Sequence, residues 1–176
     1  MAKKEKEIKT NAMRILERHK IPFETMTYEC DEFTDGMQTA EILGIDPKLM
    51  YKTLVTVGKS KTNYVFVIPI EDEIDFKKAA KVVGEKSLEM LHLKDLTNVT
   101  GYVRGGCTSI GMKKQFPTVI HESALSLSKM IVSGGKIGLQ LKLAPEDLAK
   151  AANAQFADVI AQHSEETEAK NEYSNF

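Results

Sequence analysis

Two β-rich segments separated by a short polar turn constrain the fold of this chain more than any other feature. Residues 51–57 (YKTLVTV) and 64–70 (YVFVIPI) are rich in β-branched and aromatic side chains, and Gly58 opens the turn between them. Such a pair predicts an antiparallel β-hairpin. Pro69 has no amide hydrogen, so it places the end of the second strand at an edge or a bulge. The fold must therefore contain a sheet that includes this hairpin.

Helical segments surround the hairpin in the sequence. Three predicted helices begin at a side chain that can cap them, and two end at a glycine. They run from Thr10 to about His19, from Thr34 or Asp35 to Gly44, and from Asp75 to Gly84. A short helix over 93–99 follows a short strand over 87–91. This alternation of local patterns, with no regular βαβ repeat, is typical of an α+β domain.

The C-terminal half predicts three more strands and one helix. The strands cover 118–121, 129–133 and 137–143, and residues 23–28 predict another strand near the N-terminus. Pro145 and the acidic residues after it open the final helix. Its expected buried side consists of Leu148, Ala151, Ala152, Phe156 and Ile160. We therefore predict a single α+β domain with a mixed sheet over residues 8–163, flanked by flexible tails at 1–7 and 164–176.

Composition excludes several classes of protein. With 176 residues, 42% of them hydrophobic, one domain with one core is expected. No apolar run is long enough to span a bilayer and no signal peptide is visible, which predicts a cytoplasmic protein without a membrane partner. Cys30 and Cys107 lack disulfide-scaffold or metal-type spacing, and no histidine pair has zinc spacing. We expect neither a metal nor a cofactor.

The net charge of −1 gives the whole molecule no basic field. Any contact with nucleic acid would therefore involve a local patch or a grip on one end of the polymer. The pairs Lys59/Lys61 and Lys113/Lys114 could contact phosphates. They could equally be solvated turn residues.

Two glycine-rich loops stand out as candidate binding elements. The first glycine loop, residues 101–111, contains Gly105 and Gly106 next to Cys107 and Thr108, and the second, residues 134–136, follows Ser133. Glycine lets a backbone approach a ligand closely, and successive N–H groups in a turn can form a concave site for an anion or an oxyanion. The first loop has the spacing of neither a P-loop nor a dinucleotide fingerprint. Both could still be ordinary connecting turns.

Lys52 is the strongest single candidate for a functional residue. Alternation along its strand places it on the same face as Leu54 and Thr56. It is either a solvated lysine of an edge strand or a compact point charge that holds a carbonyl oxygen or a phosphate. Cys107 is either a nucleophile or a structural residue, and Tyr28 either lines a pocket or packs its ring.

The order of several short motifs resembles the YbaK/EbsC family of aminoacyl-tRNA deacylases, whose domain also occurs as an editing module in bacterial prolyl-tRNA synthetases. The motifs extend from about residue 10 to residue 159. They are AMRIL near the N-terminus, TYE at 27–29, YKTL at 51–54, FKKAA at 76–80, GY at 101–102, GG at 105–106, VSGGK at 132–136 and DLAK at 147–150.

This resemblance implies a mixed, barrel-like sheet surrounded by helices, with a pocket for the 3′-terminal adenosine of tRNA. It implies Lys52 as the catalytic residue that holds the ester end of the aminoacyl group. The substrate-binding residues implied or suggested with it are Tyr28, Gly105, Gly106, Thr108, Ser133, Gly134 and Gln140. No protein nucleophile is implied, because in the cysteine-specific branch the thiol of the substrate attacks its own carbonyl group. The implied partners are tRNA(Pro), tRNA(Cys) and prolyl-tRNA synthetase.

The chain departs from the family pattern at two places. Thr108 and Ser109 stand where a serine and a proline are common, and Gln140 stands where an aspartate is common. These departures leave two alternatives to a deacylase of Cys-tRNA(Pro). One is a non-catalytic module that binds tRNA ends or a synthetase, and the other is a deacylase for alanine or serine.

Overall fold

A computed structural model describes residues 9–29 and 35–162. The predicted tails, together with Cys30, Thr34 and His163, lie outside these ranges. The described residues form an α+β fold, which confirms the predicted class. None of the helices in this part of the chain is long and apolar enough to cross a bilayer.

Helices and strands alternate irregularly along the chain. The α-helices are α1 (Asn11–Arg18), α2 (Gly36–Leu43), α3 (Phe76–Val83), α4 (Leu96–Thr100) and α5 (Pro145–Ala152). The strands are β1 (Glu24–Thr27), β2 (Tyr51–Gly58), β3 (Asn63–Pro69), β4 (Leu88–Met90), β5 (Thr118–His121), β6 (Met130–Ser133), β7 (Leu139–Leu143) and β8 (Ala154–Ala157). Short 3₁₀ turns occupy Pro47–Leu49, Leu93–Asp95 and Glu122–Ser126.

The strands form two sheets. Strands β1, β7 and β6 make an antiparallel sheet in that order, and β4, β2, β3, β5 and β8 make a mixed sheet. The predicted hairpin is confirmed: β2 and β3 pair antiparallel from Tyr51 opposite Pro69 to Val57 opposite Asn63. Pro69 is the last residue of β3, beyond the segment that pairs with β5. An isolated parallel bridge between Met50 and Ile131 links the two sheets.

The predicted helix caps are confirmed. The Thr10 hydroxyl accepts a hydrogen bond from Met13 N at 3.2 Å, and Asp35 forms a reciprocal capping box with Gln38. The Asp75 side chain caps α3 by accepting hydrogen bonds from Lys77 N and Lys78 N, without the reciprocal bond of a capping box. Gly44 and Gly84 end α2 and α3 with φ of +67° and +79°, a backbone conformation in which a Cβ would be strained.

The prediction for the C-terminal helix was wrong beyond Ala152. Asn153 adopts a left-handed conformation with φ of 55°, which ends α5, and the chain continues as β8 parallel to β5. Phe156 therefore lies in a strand opposite Ile120, and Ile160 forms an isolated bridge with Ile74. The apolar spacing of residues 148–160 is compatible with a helix, but pairing with β5 gives the segment after Asn153 backbone partners in a strand.

Candidate functional site

Lys52 lies on β2, an inner strand of the sheet between β3 and β4. On one side of β2, β3 pairs along its whole length. On the other side, β6 meets Met50 just before the strand, whereas β4 pairs with Thr56–Gly58 at its end. Lys52 thus lies on the stretch of β2 that pairs with neither β6 nor β4 on this side. The exposed fraction of Lys52 is nevertheless only 9%. The interpretation as a solvated edge-strand lysine is wrong.

Lys52 separates two apolar clusters on one face of the hairpin. Alternation places Met50, Lys52 and Leu54 on the same face of β2. Met50 packs in a cluster with Ile70 and Ile131, whereas Leu54 belongs to the large cluster on β3. The nearest residues of β2 on either side of Lys52 on this face are therefore apolar.

Burial lowers the pKa of Lys52 from 10.5 to about 8, and the nearby carboxylates of Glu73 and Asp72 oppose this shift. The lysine is still mainly protonated at neutral pH. A cation that water solvates poorly interacts more strongly with a negative charge that develops beside it. Lys52 is therefore suited to stabilising an oxyanion.

Asp72 and Glu73 are site residues that the sequence interpretation missed. They come three and four residues after Pro69, the last residue of β3, and the hairpin register places the end of β3 beside the start of β2, where Lys52 lies. That register could have identified them, because an acidic turn after the second strand must return close to the first residues of its partner.

Ser133 and Gln140 lie opposite each other at the ends of β6 and β7, and Met26 of β1 lies opposite Gln140 on the other side. The three residues share a face with Ile131, whose cluster includes Met50 next to Lys52. Gln140 is buried, with an exposed fraction of 7%. Ser133 and Lys52 each lie two residues beyond the Met50–Ile131 bridge, so the structure brings these predicted site residues to the same side of the junction between the sheets.

Tyr28 closes this side of the site. Its hydroxyl lies 3.3 Å from that of Thr39 on α2, and its backbone N–H donates to Gly138 O at 3.0 Å. The close approach requires glycine at 138, because a Cβ there would come within 2.8 Å of Tyr28 O. Thr39, which the sequence interpretation did not single out, thus joins Tyr28 to the helix that covers this face.

The two glycine loops are in direct contact. A Cβ on Gly106 would come within 2.7 Å of the Lys136 Cα atom, so the backbones can be this close only without a side chain at 106. Gly105 and Gly135 have φ of 88° and 105°. The Tyr102 ring packs on Gly135, and its hydroxyl donates to Ile110 O at 2.6 Å.

Helix α1 ties both loops together at its first turn. The Thr10 hydroxyl donates to Gly134 O at 2.7 Å, and the Asn11 side-chain amide donates to Gly111 O at 2.8 Å. The loops and the start of α1 therefore form one unit. Gly105, Gly106 and Gly134 are brought together in it, as expected for parts of one site.

Two side chains of the first glycine loop point away from solvent. Thr108 is fully buried, and its hydroxyl accepts a hydrogen bond from Ile110 N at 3.5 Å, within the loop itself. Cys107 is buried in the large apolar cluster, and this burial raises the pKa of its thiol far above the usual range. A thiol that does not ionise is a poor nucleophile, so the geometry favours the structural interpretation of Cys107.

Within residues 9–29 and 35–162, no group of three or more His, Cys, Asp or Glu side chains is placed to hold a metal ion. The candidate site combines the ammonium group of Lys52, the side-chain amide of Gln140, the hydroxyls of Ser133 and Tyr28, and the backbones of the two glycine loops. Such an arrangement can bind and polarise an ester.

Comparison with known proteins identifies a family for most of this chain. Residues 34–151 match the family model described as the aminoacyl-tRNA editing domain. The chain belongs to this family. The matched residues of this editing domain include Lys52, both glycine loops and Gln140, whereas Tyr28 precedes them.

A curated relative and two solved structures are similar to this editing domain. The relative is the "Putative Cys-tRNA(Pro)/Cys-tRNA(Cys) deacylase EbsC" of Enterococcus faecalis, 51% identical over 160 residues, which are 90% of this chain and 98% of that protein. It is named as a deacylase, which is an enzyme. A structure described as a "putative trans-editing enzyme for prolyl tRNA synthetase" has a TM-score of 0.75 at 23% identity, covering 89% of this chain and all of that one. A hypothetical protein of solved structure has a TM-score of 0.78 at 20% identity, covering 86% and 99%. The last two confirm the fold.

Proposed function

We propose that this editing domain is a trans-acting deacylase that removes cysteine from mischarged Cys-tRNA(Pro), with Cys-tRNA(Cys) as a second substrate. The observation that carries the proposal is the buried ammonium group of Lys52 in the gap between β6 and β4, next to the face that presents Ser133 and Gln140. The curated relative with this specificity in its name aligns with this chain over 98% of the relative's own length. The substrate implies that the protein works where tRNAs are charged, in the cytoplasm.

Lys52 would hold the carbonyl oxygen of the aminoacyl ester. As the carbonyl carbon is attacked, negative charge develops on this oxygen, and a poorly solvated cation stabilises it more than an exposed one would. The backbone at Gly105 would supply a second polar contact near the ester. Ser133, Gln140 and Tyr28 would line the aminoacyl side of the pocket, with Thr39 fixing Tyr28.

The nucleophile in this proposal is the thiol of the substrate. Its sulfur attacks the carbonyl carbon of its own ester, a C–S bond forms, the C–O bond to the ribose breaks, and the thiol proton passes to the ribose oxygen. The products are a cyclic thiolactone and free tRNA. Effective concentration makes such an intramolecular attack fast, so the protein needs only to orient and polarise the ester.

Two alternatives remain for the same site. A non-catalytic module would bind the tRNA 3′ end or prolyl-tRNA synthetase, with Lys52 gripping a phosphate. A deacylase for alanine or serine would follow if Gln140 positions water. The lowered pKa of Lys52 favours an enzyme, because perturbed pKa values cluster where charge is used in chemistry.

The test is turnover by limiting protein. The wild-type chain should release many equivalents of labelled cysteine from Cys-tRNA(Pro). Lys52→Ala should reduce kcat/KM about 30- to 1,000-fold, comparable to the loss of one oxyanion donor. Lys77→Ala, an exposed lysine on α3, is the matched control and should retain activity. If the Lys52 variant turns over like the wild type, the assignment of the site is wrong.

A further inference from the structure

A cavity of about 240 Å³ borders the C-terminal part of the first glycine loop. Ser109 and Gly111 of the loop form one wall, and the end of α1, the segment before β5 and the end of α5 form the others. Its polar side chains belong to Arg18, His19, Ser109, Lys114, Gln115 and Thr118. The cavity therefore shares the first glycine loop with the proposed ester site, but its lining includes neither Lys52 nor the Ser133–Gln140 pair.

The charge around this cavity is entirely positive. Of the described residues that line it, two have basic side chains, Arg18 and Lys114, one is a histidine, and none is an acid. No ion pair joins these three side chains to a carboxylate in the described ranges, whereas Lys9 and Lys78 do pair with acids. In a molecule with a net charge of −1, such a group is a local anion-attracting patch.

Two helix C-termini lie at the cavity, and their carbonyl groups would by themselves disfavour an anion. These carbonyls already have donors. At the end of α1, Ile21 N donates to Leu16 O at 2.9 Å, and at the end of α5 the Gln115 side-chain amide donates to Ala152 O at 2.8 Å. The unpaired cations therefore dominate the local field.

Size and position point to a phosphate group of a larger molecule. The cavity is smaller than the roughly 300–1,000 Å³ usual for small-molecule sites. The loop from Gly105 to Gly111 can span at most about 20 Å, and α1, whose first turn holds both glycine loops, is only about 12 Å long. One polymer held at the ester site can therefore reach the cavity.

We propose that this cavity binds a backbone phosphate near the 3′ end of the tRNA, with Arg18 and Lys114 as the charged contacts. The inference rests on the proposed function for the identity of the polymer. It accounts for how a chain with almost no net charge retains a polyanion, since phosphate contacts supply affinity and position without reading sequence.

Equilibrium binding of uncharged tRNA(Pro) tests the proposal without using deacylation. Arg18→Ala/Lys114→Ala should weaken binding about tenfold at low salt. It should also reduce the magnitude of the slope of log K against the logarithm of the salt concentration by about 1 to 2. Lys77→Ala/Lys81→Ala, which removes the same charge from exposed positions of α3, is the matched control and should shift both quantities much less. Equal shifts in the two double variants would overturn the proposal.

Substrate length separates this inference from the proposed function. In the Arg18/Lys114 variant, kcat/KM should fall at least tenfold more for Cys-tRNA(Pro) than for a 3′-cysteinyl adenosine ester, which has no backbone phosphate. If the wild-type chain cleaves neither substrate, the proposed function fails while the binding result stands. If the wild-type chain cleaves both substrates and kcat/KM of the variant falls equally for both, the phosphate site fails while the proposed function stands.

Inorganic phosphate distinguishes an RNA site from a small-anion site. If the double variant loses binding of inorganic phosphate but retains wild-type affinity for tRNA(Pro), the assignment to RNA is overturned. Circular dichroism reports whether the double variant folds. If it does not, amide resonances of Ser109, Gly111 and Thr118 in the wild-type chain should shift on titration with an acceptor-stem minihelix. Resonances that do not move would contradict the proposal.

Discussion

Gly106 lies directly against the backbone of Lys136: a Cβ at 106 would come within 2.7 Å of Lys136 Cα and 2.8 Å of its carbonyl carbon. This contact joins two segments far apart in the sequence, and Thr10 and Asn11 of α1 bond to the same two segments. The position of Gly105, which we propose contacts the ester, thus depends on a neighbouring residue that cannot carry a side chain.

Gly106→Ala should separate the two glycine loops. Because the atoms that a Cβ would meet are backbone, relief requires a shift of the loops and not a side-chain rotation, at a cost of about 1–3 kcal/mol of stability. We expect deacylation to fall by more than tenfold in a folded protein, since small displacements of positioning groups have large effects on rate. Chemical denaturation and kcat/KM measured on the same preparation check both expectations.

Gly84→Ala provides the control for stability alone. Its φ of +79° strains an alanine, but a Cβ there meets nothing within 4 Å, and it ends α3 away from the glycine loops. This variant should lose about 1–2 kcal/mol of stability with an unchanged kcat/KM. Should both variants lose activity in proportion to stability, the contact with Lys136 would have no special role.

Lys52→Met should make the protein more stable and inactive. The methionine keeps the apolar stem and removes a charge whose burial lowers the pKa of the lysine to about 8. Between pH 8 and the unfolded-state value of 10.5, the unfolded chain binds more protons than the folded one, so wild-type stability should rise with pH in that window. Below pH 8 the lysine is charged in both states, and the full free-energy cost of burying its charge lowers the stability of the wild type. At pH 7 the variant should therefore gain about 1–3 kcal/mol.

Denaturant unfolding at pH 7 and pH 10 tests whether the stability of the wild type rises with pH as predicted. The difference between wild type and Lys52→Met should shrink as the pH rises, whereas the difference between wild type and Lys77→Met should stay flat because Lys77 is exposed. A methionine variant that is less stable than wild type at pH 7 would show that Lys52 stabilises the fold.

The parts of the fold that were predictable depend on neighbours in the sequence. Thr10, Asp35 and Asp75 cap their helices through residues two to three positions away, and the hairpin register of β2 follows from one short turn. Lys52 was singled out as a candidate from its strand and a motif, but its burial was not predicted, because β6 and β4 come from other segments of the chain. β8 was missed for the same reason, since its partner β5 lies more than thirty residues earlier.

Cys107→Ala should retain deacylation. The thiol is buried in the large apolar cluster, and its raised pKa keeps it protonated at neutral pH. Removing one buried sulfur should lower stability by about 1 kcal/mol through lost packing. Steady-state turnover and intact-protein mass spectrometry during the reaction check this. An adduct of one cysteinyl group on the wild-type chain that is absent from the variant would make Cys107 the nucleophile after all.

Cleavage should depend on the thiol of the substrate. Cys107 is buried, and among residues 9–29 and 35–162 no group of three or more His, Cys, Asp or Glu side chains is placed to hold a metal ion. Cys-tRNA(Pro) should therefore be cleaved well and Ser-tRNA(Pro) poorly, because a hydroxyl ionises far less readily than a thiol with a pKa near 8.5. Alkylating the substrate thiol should stop release, while binding of the modified tRNA persists in a filter-retention assay.

Ala-tRNA(Pro) is the decisive comparison, since its methyl group cannot attack anything. If alanine is released as fast as cysteine, water must be the nucleophile and the intramolecular route is wrong. Gln140 would then be the first residue to test, because its amide is buried opposite Ser133 and could hold a water molecule as both donor and acceptor. Gln140→Leu would abolish release of alanine under that mechanism, whereas under the thiol mechanism it should alter the affinity for Cys-tRNA(Pro) more than the rate of bond cleavage.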